Sequence, residues 1–160
     1  IDPYESPRPA PPGAVPYASP AGDVPPPIVP TVAGLEAFGA TARNPLAMSD
    51  TTALRVGQVM YDRHCAVCHG AQGKGDGPVV GPGKFPPLVP NVTLPITVGR
   101  TDAYIYAVMS AGRSLMPSYG PRMSNHELWA TVNYVRQLQR QAGAAPVLPT
   151  APDTTRGPGR

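Results

Sequence analysis

The spacing of apolar residues predicts a first helix over residues 51–65. Its apolar positions recur every three or four residues, as on one helix face: Leu54, Gly57, Met60 and Tyr61. Ser49 or Asp50 is a suitable N-cap, because a short polar side chain accepts hydrogen bonds from the first free N–H groups. A glycine inside a helix costs about 1 kcal/mol relative to alanine. Gly57 therefore indicates a close crossing by another helix.

Two later stretches show the same helical spacing. The first begins at Thr101 or Asp102 and ends before Gly112, a residue type that favours helix termination. Its apolar face consists of Ile105, Val108 and Met109. The second begins at Ser124, which forms a capping-box pattern with Glu127. Its apolar stripe consists of Leu128, Trp129, Val132, Val135 and Leu138.

Neither end of the chain sustains a helical or alternating pattern. The chain has 24 prolines, and half of them lie between Pro3 and Pro45. Proline at this density fixes φ and removes backbone donors, which favours extended chain. We therefore predict an extended Pro-rich arm over residues 1–47, a helical domain over residues 48–143 and a Pro/Gly-rich tail over residues 144–160.

The length of the arm suggests a role in binding other proteins. Fully extended, it would reach on the order of 140 Å at ~3.1 Å per residue, far beyond a small domain. Our hypothesis is that the arm lies across partner subunits, and the alternative is that it folds back on its own domain. Its candidate apolar anchors are Tyr4, Tyr17, Ile28, Val29, Val32, Leu35 and Phe38.

The two cysteines of the chain form a C-x-x-C-H motif with the histidine that follows them. The motif consists of Cys65, Cys68 and His69. It is typical of covalent haem c attachment, in which each thiol forms a thioether with a vinyl group and the histidine ligates iron. A redox dithiol, a structural zinc site and a disulfide are the alternatives, although zinc would need further ligands.

The second axial ligand would separate an electron carrier from a haem enzyme, because a filled position excludes dioxygen and peroxide. Met60 and Met109 fall on apolar helix faces, where core packing is favoured. Met116 instead precedes Pro117 in a loop and is the predicted ligand. Histidine and methionine ligation tends to raise the reduction potential. The prediction is therefore a one-electron carrier with no catalytic residues.

Residues 79–100 contain five prolines and are predicted to wrap the haem as irregular chain. The candidates for apolar contacts with the haem are Phe85, Leu88, Val92 and Leu94. The candidates for hydrogen bonds to its carboxylates are Asn91, Thr93 and Arg100. An ordinary surface or turn role is the favoured interpretation of each of these polar residues.

Charge and hydropathy exclude some functions and suggest a location. The net charge is +3 and no Lys/Arg block is present, so nucleic-acid binding is not indicated. No apolar run is long enough to cross a bilayer. The chain begins at Ile1 without a signal region, so we expect a processed form. Because haem attachment of this type is made outside the cytoplasm, we expect a periplasmic, peripheral protein, and a lipid anchor upstream of Ile1 is compatible with this.

Residues 50–142 resemble the class I cytochromes c. The resemblance rests on C-x-x-C-H after a helix with Gly57, the loop methionine Met116, and a terminal helix with Trp129. It implies an all-α fold of three or more helices around one covalently bound haem c. It also implies that the first and last helices cross near Gly57 and Trp129, and that the haem edge near the thioethers is exposed for electron transfer.

A narrower resemblance is to the monohaem cytochrome c subunit of alternative complex III. It rests on C-A-V-C-H-G at 65–70, G-K-G-D-G-P at 73–78, L-M-P-S-Y-G at 115–120, and P-T-V-A at 30–33 in a Pro-rich arm that also contains N-P at 44–45. It implies a membrane-bound quinol-oxidising complex of a respiratory or photosynthetic chain. There, the subunit takes electrons from a multihaem cytochrome and passes them to a soluble carrier or terminal oxidase. The alternatives are a free periplasmic monohaem carrier, a haem enzyme such as a peroxidase, and a mainly structural subunit.

Overall fold

A computed structural model of the 160-residue chain describes residues 23–85 and 91–143. Within these ranges the chain forms helices and no sheet, which confirms the all-α fold class. The helices are α1 (Val32–Thr41), α2 (Thr51–His64), α3 (Ala66–His69), α4 (Pro95–Val98), α5 (Asp102–Ala111) and α6 (Asn125–Gln141). None of the described helices is long and apolar enough to span a membrane.

The three helices predicted from apolar spacing form with the predicted caps. The Asp50 carboxylate caps α2 by accepting hydrogen bonds from two backbone N–H groups of its first turn. The Thr101 side chain caps α5. Ser124 and Glu127 form the complete capping box at the start of α6. These helix starts are therefore encoded locally, by side chains within three residues of the groups that they cap.

The core lies where α6 packs against α2 and α5. The predicted apolar stripe of α6 is buried along its whole length. Trp129 stacks on Tyr106 of α5 with ring centroids 4.2 Å apart. At the crossing of α2 and α6, a Cβ on Gly57 would overlap with the backbone carbonyl of Ala130. The predicted close crossing at Gly57 is therefore confirmed.

The expectation of an unbroken extended arm is wrong for residues 32–41, which form helix α1. The segment between Pro30 and Pro45 contains no proline, and apolar or small residues follow at helical spacing: Leu35, Phe38, Gly39 and Ala42. Leu35 is only 1% exposed, and Phe38 stacks on the Tyr106 ring at 5.4 Å. Helix α1 thus packs on α5 of its own domain.

Hydrogen bonds on both sides of α1 join the arm to the same domain. The Asp23 carboxylate accepts a hydrogen bond from the backbone N–H of His126. The Asn44 amide donates to the carboxylate of Asp102 and to the side-chain oxygen of Asn133, at 3.1 and 2.7 Å. For residues 23–47 the fold-back alternative therefore describes the structure better than an arm extended across partners.

The other predicted apolar anchors of the arm have mixed outcomes. Ile28 is partly buried beside α1 and α5, whereas Val29 and Val32 are exposed. Tyr4, Tyr17 and the predicted tail at 144–160 lie outside the described residues. The domain boundaries near residues 47 and 143 and the binding of partners by the arm stay predictions.

Candidate functional site

A largely apolar cavity of about 730 Å³ lies between α2, α5, α6 and the loops around them. This volume is within the range of small-molecule and cofactor sites, roughly 300–1,000 Å³. All four residues predicted to hold a haem line the cavity: Cys65, Cys68, His69 and Met116. They come from two segments about fifty positions apart, so the fold brings together what the sequence separates.

The junction of α2 and α3 carries the C-x-x-C-H motif. The N–H of Cys65 bonds the Tyr61 carbonyl at 2.8 Å, and the N–H of His69 bonds the Cys65 carbonyl at 2.8 Å. The motif therefore forms one tight helical turn. Cys65 is buried, Cys68 is partly buried, and both are free thiols. Burial raises the pKa of the Cys65 thiol to about 12.

The alternatives to haem attachment find no support in this geometry. Cys65 and Cys68 do not form a disulfide. Within the described parts of the chain, no group of three His, Cys, Asp or Glu side chains is arranged to hold a metal ion. A structural zinc site normally has four such ligands. No strand precedes the motif, so the setting of a redox dithiol is also absent from the described ranges.

The glycine-rich loop after the motif folds tightly against it. The Tyr61 hydroxyl donates a 2.9 Å hydrogen bond to the Gly70 carbonyl. The N–H of Gly75 bonds the His69 carbonyl, and the N–H of Gly77 bonds the Cys68 carbonyl. A Cβ on Gly77 would overlap with the backbone of Val67 and Cys68. These contacts fix the backbone that carries His69 on the cavity wall.

Met116 reaches the cavity from the loop after α5. Gly112 ends that helix with φ 80°, and Arg113 and Met116 exchange two backbone hydrogen bonds at 3.0 and 2.9 Å. Farther along the loop, the Tyr119 hydroxyl donates to the His64 carbonyl at 3.2 Å. This bond joins the methionine loop to the end of α2, next to the cysteine motif.

Three other methionines, Met60, Met109 and Met123, pack in or beside the core. Met123 is buried in the core, and Met60 packs at its edge. Met109 is buried on α5 and also lines the cavity, so the expectation that it only fills the core is incomplete. Among the described methionines, Met116 is the one that lines the cavity from a loop.

The segment before α5 supplies part of the predicted wall. Phe85, Val92 and Arg100 line the cavity, as expected. Leu94 is half exposed and does not line it, and Leu88 lies outside the described residues. The predicted irregular chain also contains the short helix α4, where Pro95 at the first helical position has no N–H to leave unpaired.

Two polar candidates for contact with the haem carboxylates have the turn role that the favoured interpretation gave them. Asn91 and Thr93 do not line the cavity. The Asn91 side-chain oxygen instead accepts hydrogen bonds from the Thr93 hydroxyl and N–H, at 2.7 and 2.8 Å, which closes a local turn. Sequence reasoning missed Arg113 and Tyr104, which do line the cavity. Arg113 lies three residues before Met116 in the sequence. This closeness to the predicted ligand is the signal that could have identified Arg113 as a cavity residue.

The residues on the cavity wall fit a haem. Two free thiols at the required spacing, an imidazole and a thioether share a largely apolar cavity of cofactor size. Two arginine side chains on the same wall match the two carboxylates that haem carries. The helical fold and this set of side chains define a c-type cytochrome.

Comparison with known proteins identifies the family. The family model described as "Cytochrome C oxidase, cbb3-type, subunit III" matches residues 52–135, and the chain belongs to this family. The match includes α2, the cysteine motif, the methionine loop and most of α6, and it excludes α1. The chain therefore binds haem c covalently, and the family implies electron transfer by that haem.

Two solved structures are similar to this chain. One belongs to the reducing HAO-like protein complex of Kuenenia stuttgartiensis, with 26% identity, a TM-score of 0.48, and coverage of 59% of this chain and 46% of that chain. The other is cytochrome cL from the methylotroph Methylophaga aminisulfidivorans, with 21% identity, a TM-score of 0.43, and coverage of 64% and 66%. The chain thus spans about half of the first and about two thirds of the second. A search of curated proteins found no match.

Proposed function

We propose that Cys65 and Cys68 form the two thioethers to the haem and that His69 and Met116 are the axial ligands of its iron. The supporting observation is that all four side chains line one cavity of cofactor size. The tight turn at 65–69 presents the thiols and the imidazole from one polypeptide segment. Met116 lines the same cavity from a different segment and would supply a second ligand to the iron.

The bound haem supplies a one-electron couple. With His69 and Met116 as its ligands, the iron would have no position free for dioxygen or peroxide and would serve to accept and donate single electrons. The chain's own residues keep the ligands in place. The Tyr119 bond to His64 and the paired backbone bonds of Arg113 and Met116 hold the methionine loop beside the motif.

We further propose that the chain is the cytochrome subunit of a membrane-bound quinol-oxidising complex similar to alternative complex III. The support is the sequence resemblance at 65–70, 73–78 and 115–120. In this proposal the subunit lies on the periplasmic face, peripheral to the membrane. It receives electrons from a multihaem cytochrome and delivers them to a soluble carrier or a terminal oxidase.

A free periplasmic electron carrier is the second candidate. The observation that favours it is the docking of residues 23–47 on their own domain, through Leu35, Asn44 and Asp23. An arm that is already packed needs no partner to order it. The two candidates share the same haem chemistry and differ in what the protein binds.

Purification of the native chain distinguishes the two candidates. Cells that make the protein would be extracted with mild detergent, and the proteins that co-purify through an affinity step and gel filtration would be identified by mass spectrometry. Recovery in a stable complex with a multihaem cytochrome and membrane-spanning subunits supports the complex. Recovery as a monomer in the soluble fraction of cells lysed before detergent is added contradicts it and supports the free carrier.

A further inference from the structure

The charge on the cavity wall is positive. Among the described residues that line the cavity, Arg100 and Arg113 are the arginines, and no lysine, aspartate or glutamate joins them. Haem c carries two carboxylates, which need cations or hydrogen-bond donors where they leave water. The two guanidinium groups are therefore the charged partners that this wall offers to the haem.

One side chain contacts both arginines. The Arg100 guanidinium lies over the Tyr104 ring, 4.4 Å from the ring centroid. The Tyr104 hydroxyl accepts a 2.6 Å hydrogen bond from the Arg113 guanidinium. Tyr104 is only 5% exposed, so it has little freedom to move. A rigid aromatic side chain thus fixes one cation by its face and the other by its hydroxyl.

The surroundings of Tyr104 and Arg100 limit their motion further. Tyr104, a residue of α5, packs against the arm helix α1, where the Gly39 backbone lies next to it. Glu36 of α1 forms a 2.7 Å ion pair with the Arg100 guanidinium. The buried Arg136 of α6 donates hydrogen bonds to the carbonyls of Val98 and Arg100. The arm, α5 and α6 therefore all contribute to the position of Arg100.

We propose that Tyr104 is a positioning residue that holds Arg100 and Arg113 as a pair of cations for the haem carboxylates, and that this pair raises the reduction potential. Reduction of the iron adds one negative charge, so fixed positive charges beside the haem favour the reduced state. The proposal depends on haem c in this cavity. It does not depend on membership of a larger complex or on Met116 as the ligand.

The test removes the Tyr104 hydroxyl, a neutral group, so that the charges of the two arginines are kept. Tyr104→Phe keeps the ring under Arg100 and removes the bond to Arg113. The expected result is a lower midpoint potential in a spectroscopic redox titration of the purified holoprotein. Tyr106→Phe is the matched control, because Tyr106 lies on the same helix, bonds Asn125 and does not line the cavity. If Tyr104→Phe lowers the potential no more than this control, the proposal is wrong.

A double-variant cycle separates positioning from a direct effect of the hydroxyl. Arg113→Gln should lower the potential, and Arg113→Lys should restore part of it. Adding Tyr104→Phe to Arg113→Gln should then cause little further change, because the hydroxyl acts through the guanidinium. An equal additional drop would overturn the positioning role. The absorption spectrum, which reports the axial ligands, should stay unchanged in all these variants, so a failure of His69/Met116 ligation would be seen separately.

Salt concentration provides an independent measurement. The difference in potential between wild type and Arg113→Gln should shrink as ionic strength rises, because Arg113 is exposed and salt screens exposed charges. Arg100→Gln should lower the potential by a smaller amount, because the Glu36 carboxylate already offsets part of the Arg100 charge. A potential that is unchanged in both arginine variants would contradict a charge-based role of the wall.

Discussion

The backbone of Gly57 lies directly against the carbonyl of Ala130 at the crossing of α2 and α6. A side chain of a single carbon would overlap with this carbonyl. The close approach lets Tyr61, one turn later, pack against Val135 and Leu138 of α6. Since α2 ends at the cysteine motif, the crossing also sets where Cys65 meets the cavity.

Gly57→Ala should therefore destabilise the protein. Alanine gains about 1 kcal/mol of helix propensity over glycine, but its methyl group meets backbone atoms that no rotamer change can move. We expect the free energy of unfolding to fall by about 1–3 kcal/mol, as for other overpacked sites. Urea denaturation of the holoprotein measures this. The exposed neighbour Gln58→Ala is the control and should stay within about 0.5 kcal/mol of wild type. Equal stability of both variants would contradict the tight crossing.

Met116→Ala should remove the sulfur ligand from the haem iron. The oxidised protein should lose its weak far-red sulfur-to-iron absorption band, and the midpoint potential should fall, because the thioether favours reduced iron. The control is Met123→Ala, since Met123 is buried in the core and does not line the cavity. It should lose stability and keep the band. A band that persists in Met116→Ala would show that another group is the ligand.

Leu35→Ala tests whether the arm helix belongs to the folded domain. Leu35 is 1% exposed among Tyr104 and Ala107 of α5, so its truncation should cost about 2–5 kcal/mol of unfolding free energy. Val32→Ala alters the same helix at a position that is 59% exposed and should have an effect below about 0.5 kcal/mol. Both are read from urea unfolding of the full chain. An arm that only binds partners would leave the two variants equally stable.

Local patterns were sufficient to predict the helices of the domain. Asp50, Ser124 and Glu127 cap helix ends from within three residues, and such short-range bonds can be read from the chain. The cysteine motif is also local, because its chemistry requires one spacing. Met116 could be selected because it is followed by proline and lies outside the predicted helices.

The arm helix was missed because proline density was averaged over residues 1–47, although residues 31–44 contain none. Because α1 was not predicted, the burial of two residues of α5 was not predicted either. The predicted face of α5 lines the cavity, but Tyr104, which lines it too, and Ala107 are also buried, because α1 packs on them. Without α1, nothing in the sequence indicated that Tyr104 is buried or that it contacts two arginines. Those positions depend on tertiary packing between distant segments.

The stability of the protein should fall at alkaline pH because of buried tyrosines. Burial raises the pKa of Tyr61 and Tyr106 above the ordinary value, and both hydroxyls donate hydrogen bonds, to the Gly70 carbonyl and to the Asn125 side chain. The folded state thus keeps protons that the unfolded chain loses near pH 10. Their contribution is complete below about pH 10 and falls above it by about 1.4 kcal/mol per pH unit for each residue.

Tyr61→Phe should reduce this alkaline loss. The variant has no phenol proton at position 61, so its unfolding free energy should fall less steeply than that of wild type, by about 1.4 kcal/mol per pH unit, above pH ~10. It should also be less stable at neutral pH by about 0.5–1.5 kcal/mol, because the hydrogen bond to Gly70 is lost. Urea unfolding at several pH values between about 8 and 12 measures both effects. Parallel curves for wild type and variant across this range would contradict the assignment of the alkaline loss to Tyr61.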